Sequence, residues 1–135
     1  MPKVIYITTA DKSKLKEIID TELKNSHTLD KSMKKLDEEI GNAEVVEAQK
    51  IPRDVITMNS RVVLHLNEED IEASLVYPED ADWSANKLSI LSPIGTAILG
   101  YQEGDFVEWE VPSGKTQIHI KKVMYQPEAS GDYDM

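Results

Sequence analysis

Hydrophobic side chains in the first third of the chain recur with the period of a helix. Between residues 9 and 43 they form two stripes with spacings of mostly three and four, separated by a polar stretch. Such spacings predict two amphipathic helices, and the second stripe has the a/d pattern of a coiled coil. Thr8 or Thr9 is suited to cap the first helix, and Gly41-Asn42 is a stop signal for the second. The stripes consist of Leu15, Ile18, Ile19 and Leu23, and of Leu29, Met33, Leu36 and Ile40.

The polar stretch between the stripes predicts a turn, so the two helices are expected to form a short antiparallel hairpin. We expect Thr28 to cap the second helix, and each arm of about 15 residues to be about 22 Å long at the helical rise per residue. No carboxylate lies in the turn itself; the nearest are Glu22 and Asp30, whose charge neighbouring lysines offset. The predicted tip comprises Asn25, Ser26, His27, Thr28 and Asp30.

From Glu44 onward the hydrophobic period changes to two, which predicts the strands of an antiparallel sheet. One helical signature, Ser92–Gly100, interrupts this pattern. Ser92 is suited to cap that helix, Pro93 to occupy its first turn and Gly100 to follow its last turn. The alternating runs lie at 61–66, 71–77, 87–91, 106–111 and 116–124, with a hairpin turn at Pro112-Ser113-Gly114.

These periods predict an α+β chain in which a short helical hairpin precedes a small antiparallel β domain carrying one short helix. We divide it into a strand-like segment and hairpin at 1–43, a β domain at 44–126 and an acidic tail at 127–135. The chain from Gln126 onward is acidic and poor in aliphatic residues, so we expect it to be poorly packed.

Composition and charge narrow the functions that such a fold could serve. The 135 residues carry a formal net charge of −10 and are 40% hydrophobic, as expected of one modest domain or a small domain with an appendage. The acidic excess argues against holding a nucleic-acid backbone, because that requires a concentrated cationic face. The apolar start of the chain is too short for a signal peptide or a membrane span, so we expect a cytoplasmic protein with no membrane contact.

Absent motifs exclude several kinds of active site. The chain has no cysteine, which rules out disulfides, thiol nucleophiles and Cys-based zinc sites. It has neither a Gly-rich phosphate loop nor a Gly-x-Ser-x-Gly elbow. His27, His65 and His119 lack metal-ligand spacing, and the acidic run at 68–72 is typical of a solvated hairpin turn. We therefore predict no catalytic residue, no metal and no cofactor.

Several motifs, in a fixed order, resemble known families. The segments similar to the C-terminal domain of the bacterial Gre transcript-cleavage factors are Leu91–Gly100, Glu103-Gly104-Asp105 and Val111–Lys115. The segments that resemble, more specifically, the Rnk family of regulators of nucleoside diphosphate kinase are Asp54–Val62, Leu75–Pro78 and Tyr125–Tyr133. The similarity therefore runs from about Ile51 to Tyr133 and is weaker over the helical hairpin.

The resemblance implies an FKBP-like C-terminal domain behind a short N-terminal coiled coil, and binding to RNA polymerase at the rim of its secondary channel. In Gre factors the C-terminal domain holds the coiled coil of the beta-prime subunit at that rim with the segment that begins the short helix. The matching residues here are Ser92, Pro93, Ile94 and Gly95. From the residues alone, Ser92-Pro93 is favoured as the start of a helix that needs no partner, and only the resemblance makes polymerase binding an equal alternative.

Gre factors also carry acidic residues at the tip of a long coiled coil, where they help to hold a catalytic magnesium ion in the polymerase. A hard cation needs oxygen ligands at about 2 Å, whereas the predicted tip has no carboxylate in its turn and sits on short arms. We therefore predict a non-catalytic, monomeric occupant of the channel entrance that competes with Gre-type factors. Its acidic surface favours steering toward a basic polymerase surface, and direct DNA binding is not expected.

Two other functions stay open at the level of sequence. The second resemblance allows a regulator of nucleoside diphosphate kinase that acts directly or through transcription. The FKBP-like fold allows a peptidyl-prolyl isomerase, although a fold does not carry a function with it.

Three residues outside the Ser92 segment are candidates for a partner interface. Asn59 and Arg61 belong to Met58–Arg61, which is either a turn that docks the hairpin on the sheet or a partner contact. Trp83 lies in the acidic loop at 78–85, where an exposed aromatic residue could anchor an interface.

Overall fold

The computed structural model describes residues 5–26, 31–66, 68–111, 114–127, 129 and 131, which form an α+β arrangement as predicted. The helices are α1 (Thr9–Ser26), α2 (Lys31–Asn42) and α3 (Pro93–Ile98). The strands are β1 (Tyr6–Thr8), β2 (Glu44–Val46), β3 (Arg61–Leu66), β4 (Glu69–Val76), β5 (Lys87–Ser89), β6 (Phe106–Val111) and β7 (Gly114–Tyr125). None of the helices in these ranges is long and apolar enough to cross a membrane.

The main sheet contains five strands in the order β5-β4-β3-β7-β6. The predicted alternation is confirmed in β3, where Val62, Leu64 and Leu66 are buried and Arg61 is exposed. Because successive side chains of a strand point to opposite faces, one face of this sheet lines the core and the other meets solvent. The expectation of a wholly antiparallel sheet is wrong for one pair, because the loop at 77–86 returns the chain so that β5 runs parallel to β4.

One cluster of buried hydrophobic side chains joins the helices to the main sheet. Its members include Leu15, Ile19, Met33, Leu36, Ile40, Leu64, Leu75, Ile98, Ile118 and Ile120. The two helices also meet through an ion pair of 3.6 Å between Lys16 Nζ and Asp37 Oδ1. The predicted stripe on α1 is wrong at Leu23, which is 41% exposed because the buried face of that helix ends at Ile19.

The helices continue beyond their predicted ends. Asn25 and Ser26, assigned above to the turn, are the last residues of α1, and Ser26 Oγ donates to Glu22 Oε1 one turn earlier at 2.9 Å. Gly41-Asn42 is the last part of α2 rather than its stop signal, because the buried Ile40 fixes the final turn on the core. The predicted tip residues His27, Thr28 and Asp30 lie outside the described residues, as does Leu29.

A buried carboxylate connects the start of α1 to the β domain. Thr8 is the cap predicted for this helix, since its Oγ1 accepts a hydrogen bond from the backbone N of Asp11 at 3.1 Å. The Asp11 side chain, which is only 6% exposed, accepts from the backbone N of Met58 through Oδ2 (3.1 Å) and from the Tyr77 hydroxyl through Oδ1 (3.3 Å). The helical segment and the β domain are therefore joined by polar contacts as well as by the core.

Two smaller features differ from the sequence expectations. β1 and β2, which flank the two helices in sequence, pair in parallel to form a separate two-stranded sheet. The expectation of poor packing from Gln126 onward is wrong at its first two residues, because Gln126 and Pro127 are buried. Gln126 Nε2 donates to the carbonyl oxygens of Pro52 and Val55 at 2.7 Å each, so these hydrogen bonds hold the chain down after β7.

Candidate functional site

The candidate site is the start of α3 together with the residues that lead into it from β5. Ser92 is the N-cap that the sequence predicts: its Oγ accepts a hydrogen bond from the backbone N of Gly95 at 3.1 Å. The same hydroxyl donates to the carbonyl oxygen of Ser89 at 2.7 Å. Ser89 in turn accepts through its own Oγ from the backbone N of Leu91 at 3.0 Å. Short local hydrogen bonds therefore fix the direction in which α3 leaves the sheet.

Gly95 allows α3 to lie directly against the end of β5. A Cβ atom at this position would collide with the carbonyl oxygen of Ser89 and would lie 3.1 Å from both Ile90 Cα and Leu75 Cδ1. The next residue adds a hydrogen bond between α3 and the end of β5, because Thr96 Oγ1 donates to the carbonyl oxygen of Ile90 at 2.7 Å. Glycine is thus required at position 95 for packing, and the residue contributes no exposed side chain.

Among the side chains that the structure describes at positions 91 to 94, Leu91, Ser92 and Ile94 are half-buried, whereas positions 95 to 100 are buried. The Ser92 hydroxyl already serves Ser89 and Gly95, so its role is to position the segment. A partner that docks here would meet the apolar surfaces of Leu91 and Ile94. Leu91 belongs to the Gre-like segment Leu91–Gly100 but is not among the predicted binding residues; an apolar residue directly before a helix cap was the available signal.

Asn59 and Arg61 lie apart from this segment, at the start of β3. Asn59 has a positive φ of 67° and donates its backbone N to the carbonyl oxygen of Leu75 at 2.6 Å. Ser60 Oγ accepts from the backbone N of Thr57 at 2.9 Å, so the turn is organised by local hydrogen bonds as expected. Arg61 is exposed, and its Nε lies 3.3 Å from Glu72 Oε1 on the neighbouring strand. Together with the hydrogen bond from Met58 N to Asp11, these contacts describe a turn that joins the helical segment to the sheet, and a partner contact at Asn59 or Arg61 stays a prediction.

Trp83 belongs to a short 3-10 turn (Trp83–Ala85) in the loop between β4 and β5. Asp82 organises this loop, because its Oδ1 accepts from the backbone N of Ser84 at 3.0 Å and from the Ser84 hydroxyl at 2.6 Å. These hydrogen bonds hold the pKa of Asp82 below its ordinary value. Asp82 and Lys87 also exchange two backbone hydrogen bonds, which attach the loop to the strand that leads into α3.

The two histidines of the sheet are half-buried, and each contacts a neighbouring side chain. His65 and His119 are opposite each other on β3 and β7. The hydrogen bond from His65 Nδ1 at 2.6 Å, followed by that from Lys121 Nζ at 3.1 Å, lowers the pKa of Asp70. The His119 ring stacks on the ring of Phe106 with 4.3 Å between centroids. Across the part of the chain that the structure describes, no three His, Asp or Glu side chains are grouped so as to hold a metal ion.

Comparison with known proteins identifies the class to which this fold belongs. A family model described as "Transcription elongation factor, GreA/GreB, C-term" matches residues 51–125. The structure of the GreA/GreB transcription elongation factor from Nitrosomonas europaea aligns with a TM-score of 0.74 and 35% identity, over 92% of this chain and 100% of that one. The chain therefore belongs to the GreA/GreB family.

Among individual relatives, the chain is similar to the "Regulator of nucleoside diphosphate kinase" of Escherichia coli (strain K12). The two are 40% identical over 101 residues, which are 73% of this chain and 74% of the relative. GreA of Orientia tsutsugamushi (strain Ikeda) is 35% identical over 98 residues, 71% of this chain but 62% of that protein. Both resemblances drawn from the motifs are thus confirmed, and the chain spans less than two thirds of that GreA.

Proposed function

We propose that this protein is a regulator of transcription elongation that binds RNA polymerase at the rim of the secondary channel. The proposal assigns the contact to the segment Ser92–Gly95, which meets the coiled coil of the beta-prime subunit. Membership of the GreA/GreB family and the identity with GreA support a role in transcription elongation. The observation that carries the proposal is the rigidly capped start of α3, which leaves Leu91 and Ile94 half-buried.

The outer surface of this segment suits an interface of modest size. Leu91 and Ile94 pack against the core on one side, and their remaining surface is apolar. A preorganised segment loses little conformational freedom on binding, so more of the contact energy appears as affinity. The net charge of −10 adds long-range attraction to a basic partner surface, which makes association sensitive to salt.

We further propose that the protein does not stimulate transcript cleavage and instead excludes Gre-type factors from a shared site. The 18 residues of α1 extend about 27 Å at the helical rise per residue, three residues more than the sequence estimate but still a short arm. At its described end the carboxylate of Glu22 accepts a hydrogen bond from Ser26. Competition for one site follows mass action, so the effect grows with the concentration of this protein.

The finer architecture belongs to the same proposal. It comprises a helical hairpin at 1–43, an FKBP-like domain at 44–126, and a tail at 127–135, in a monomer that binds no cofactor and does not bind DNA. The α1 and α2 helices and their ion pair support the first part. The five-stranded sheet, whose edge strands β5 and β6 are joined in sequence through α3, supports the second.

The name of the E. coli relative supplies a second candidate function. That protein is called a regulator of nucleoside diphosphate kinase, and its identity to this chain covers most of both proteins. An effect on the kinase through transcription is compatible with polymerase binding. A direct effect instead requires a complex between the two proteins, which size-exclusion chromatography of a mixture would detect.

Replacing Ile94 with Glu is expected to weaken binding to core RNA polymerase by at least about tenfold, as for the loss of a buried apolar contact in an interface. The substitution removes apolar contact surface and adds a charge, while an acid in the first turn remains compatible with the helix. The measurement is a fluorescence-anisotropy titration of labelled protein with core polymerase at low salt.

The matched control is Val45→Glu, which makes the same kind of change on β2 at a position that is 39% exposed. We expect it to bind as the unaltered chain does. Equal affinities for all three proteins would remove the Ser92–Gly95 segment from the interface, and no binding by the unaltered chain would refute the proposal altogether. A urea titration of each variant separates loss of binding from loss of folding.

A further inference from the structure

A polar pocket of about 300 Å³ lies where the end of β7 meets the loops at 53–54 and 102–105. Its lining residues include Arg53, Asp54, Glu103, Val123, Met124 and Gln126. None of them belongs to α3 or to the segment that leads into it. The volume is at the lower end of the range of pockets that hold small ligands.

The amide of Gln126 has a fixed orientation in the wall of this pocket. Its Nε2 donates to the carbonyl oxygens of both Pro52 and Val55 at 2.7 Å. Only the NH₂ group can face two acceptors, so Oε1 must point the other way. The residue is 3% exposed, and within the described part of the chain Oε1 is buried with no hydrogen-bond partner. Gln126 lines the pocket, and Oε1 is the one atom of its amide whose hydrogen-bonding capacity is unused there.

Two carboxylates in the wall are held in place through one oxygen each. Glu103 Oε1 accepts from the backbone N of Val123 at 3.0 Å, and Asp54 Oδ1 accepts from Gln102 Nε2 at 3.3 Å. The backbone N of Glu103 also donates to the carbonyl oxygen of Asp54 at 2.9 Å. Val123 N and Gln102 Nε2 each occupy one carboxylate oxygen, and the second oxygen of each carboxylate remains available as an acceptor.

We propose that this pocket binds a primary ammonium or guanidinium group on an alkyl stem. The two carboxylates and the unsatisfied Oε1 of Gln126 favour a cation that carries several N–H donors. Val123 and Met124 supply apolar surface for the methylene groups of the stem, in the way that Lys and Arg side chains bury their stems elsewhere. Arg53 is exposed at the rim and opposes the cation, so removing its charge should strengthen binding.

The test titrates the ¹⁵N-labelled protein with agmatine and follows amide shifts by NMR. Saturable shifts centred on Tyr125 and on the side-chain amide of Gln126 are expected. Glu103→Gln keeps the acceptor for Val123 but loses the charge, and it should weaken binding about threefold to fivefold, the equivalent of one exposed ion pair. The control is Glu69→Gln, an exposed acid at the start of β4, which should leave the affinity unchanged.

Arg53→Gln gives the result that separates this proposal from an anion site. Tighter agmatine binding by the Arg53→Gln variant supports a cation pocket. Weaker binding by that variant, shifts scattered over the whole acidic surface, or equal effects of Glu103→Gln and Glu69→Gln would overturn it.

N-acetyl-arginine amide tests the source of the group: comparable affinity indicates a basic side chain of a protein partner, and binding of agmatine alone indicates a free polyamine. The agmatine titration contains no polymerase, so its result does not depend on the result of the Ile94→Glu binding experiment.

Discussion

Replacing Gly100 with Ala is expected to lower the free energy of unfolding by about 2–5 kcal/mol, the sum of backbone strain and overpacking. Gly100 has a φ of +84°, a conformation that costs an L-residue energy. A Cβ atom there would also lie 2.7 Å from Ile5 Cβ and 3.0 Å from the carbonyl oxygen of Tyr6. The added methyl therefore pushes β1 away from the end of α3. The measurement is the urea midpoint and slope of each protein.

Gly104 offers a matched control for this result. It has a similar φ of +92°, but no atom lies within 4 Å of a Cβ built on it. Gly104→Ala should therefore cost only the backbone strain, about 1–2 kcal/mol. Equal losses at the two glycines would mean that the close approach of β1 to Gly100 does not contribute to stability.

Replacing Asp11 with Ala is expected to cost about 3–5 kcal/mol, because each hydrogen bond to a buried charged group is worth about 1.5–3 kcal/mol. The change leaves the backbone N of Met58 and the Tyr77 hydroxyl without the carboxylate that now accepts from both. Asp11→Asn should cost less, since the amide retains one oxygen acceptor. Urea unfolding monitored by circular dichroism measures all three proteins.

Asp20→Ala is the control, because Asp20 lies on the same helix and is exposed. Its effect should stay within about 0.5 kcal/mol, as for most surface changes. A small loss for Asp11→Ala would show that the core alone holds the helical segment against the β domain. A large loss that leaves the β domain folded would show that the two segments unfold separately.

Features whose signals are local in sequence could be predicted, and those that depend on distant residues could not. The cap at Ser92 and the turn at Met58–Arg61 are encoded within a few residues, and both were predicted correctly. Asp11 contacts residues 47 and 66 positions away, and Gln126 contacts residues 71 and 74 positions away. No periodicity in the sequence links residues so far apart. The burial of the Asp11 carboxylate and the packing of Gln126 after β7 could therefore not be predicted.

The candidate site follows the same division. The cap at Ser92 was predicted from local signals, whereas its role in binding came from the resemblance to Gre factors and stays a prediction. The requirement for glycine at position 95 became clear only when β5 and Leu75 were seen beside it. Leu91 was placed in the Gre-like segment but not among its binding residues, because its partial burial depends on how α3 lies against the core. The ends of α1 and α2 were misjudged by a few residues because polar residues and a glycine are tolerated in a helix whose other face is buried.

The most direct test of the proposed function is a transcript-cleavage assay on stalled, backtracked elongation complexes. This protein is added alone, and then in increasing amounts together with a Gre factor at fixed concentration. We predict no cleavage by this protein alone. In the mixture we predict that it inhibits cleavage stimulated by the Gre factor. Excess Gre factor should reverse this inhibition, and the Ile94→Glu variant should inhibit less. Cleavage by this protein alone would contradict the non-catalytic role, and an unchanged rate of Gre-stimulated cleavage at saturating amounts would contradict a shared site on the polymerase.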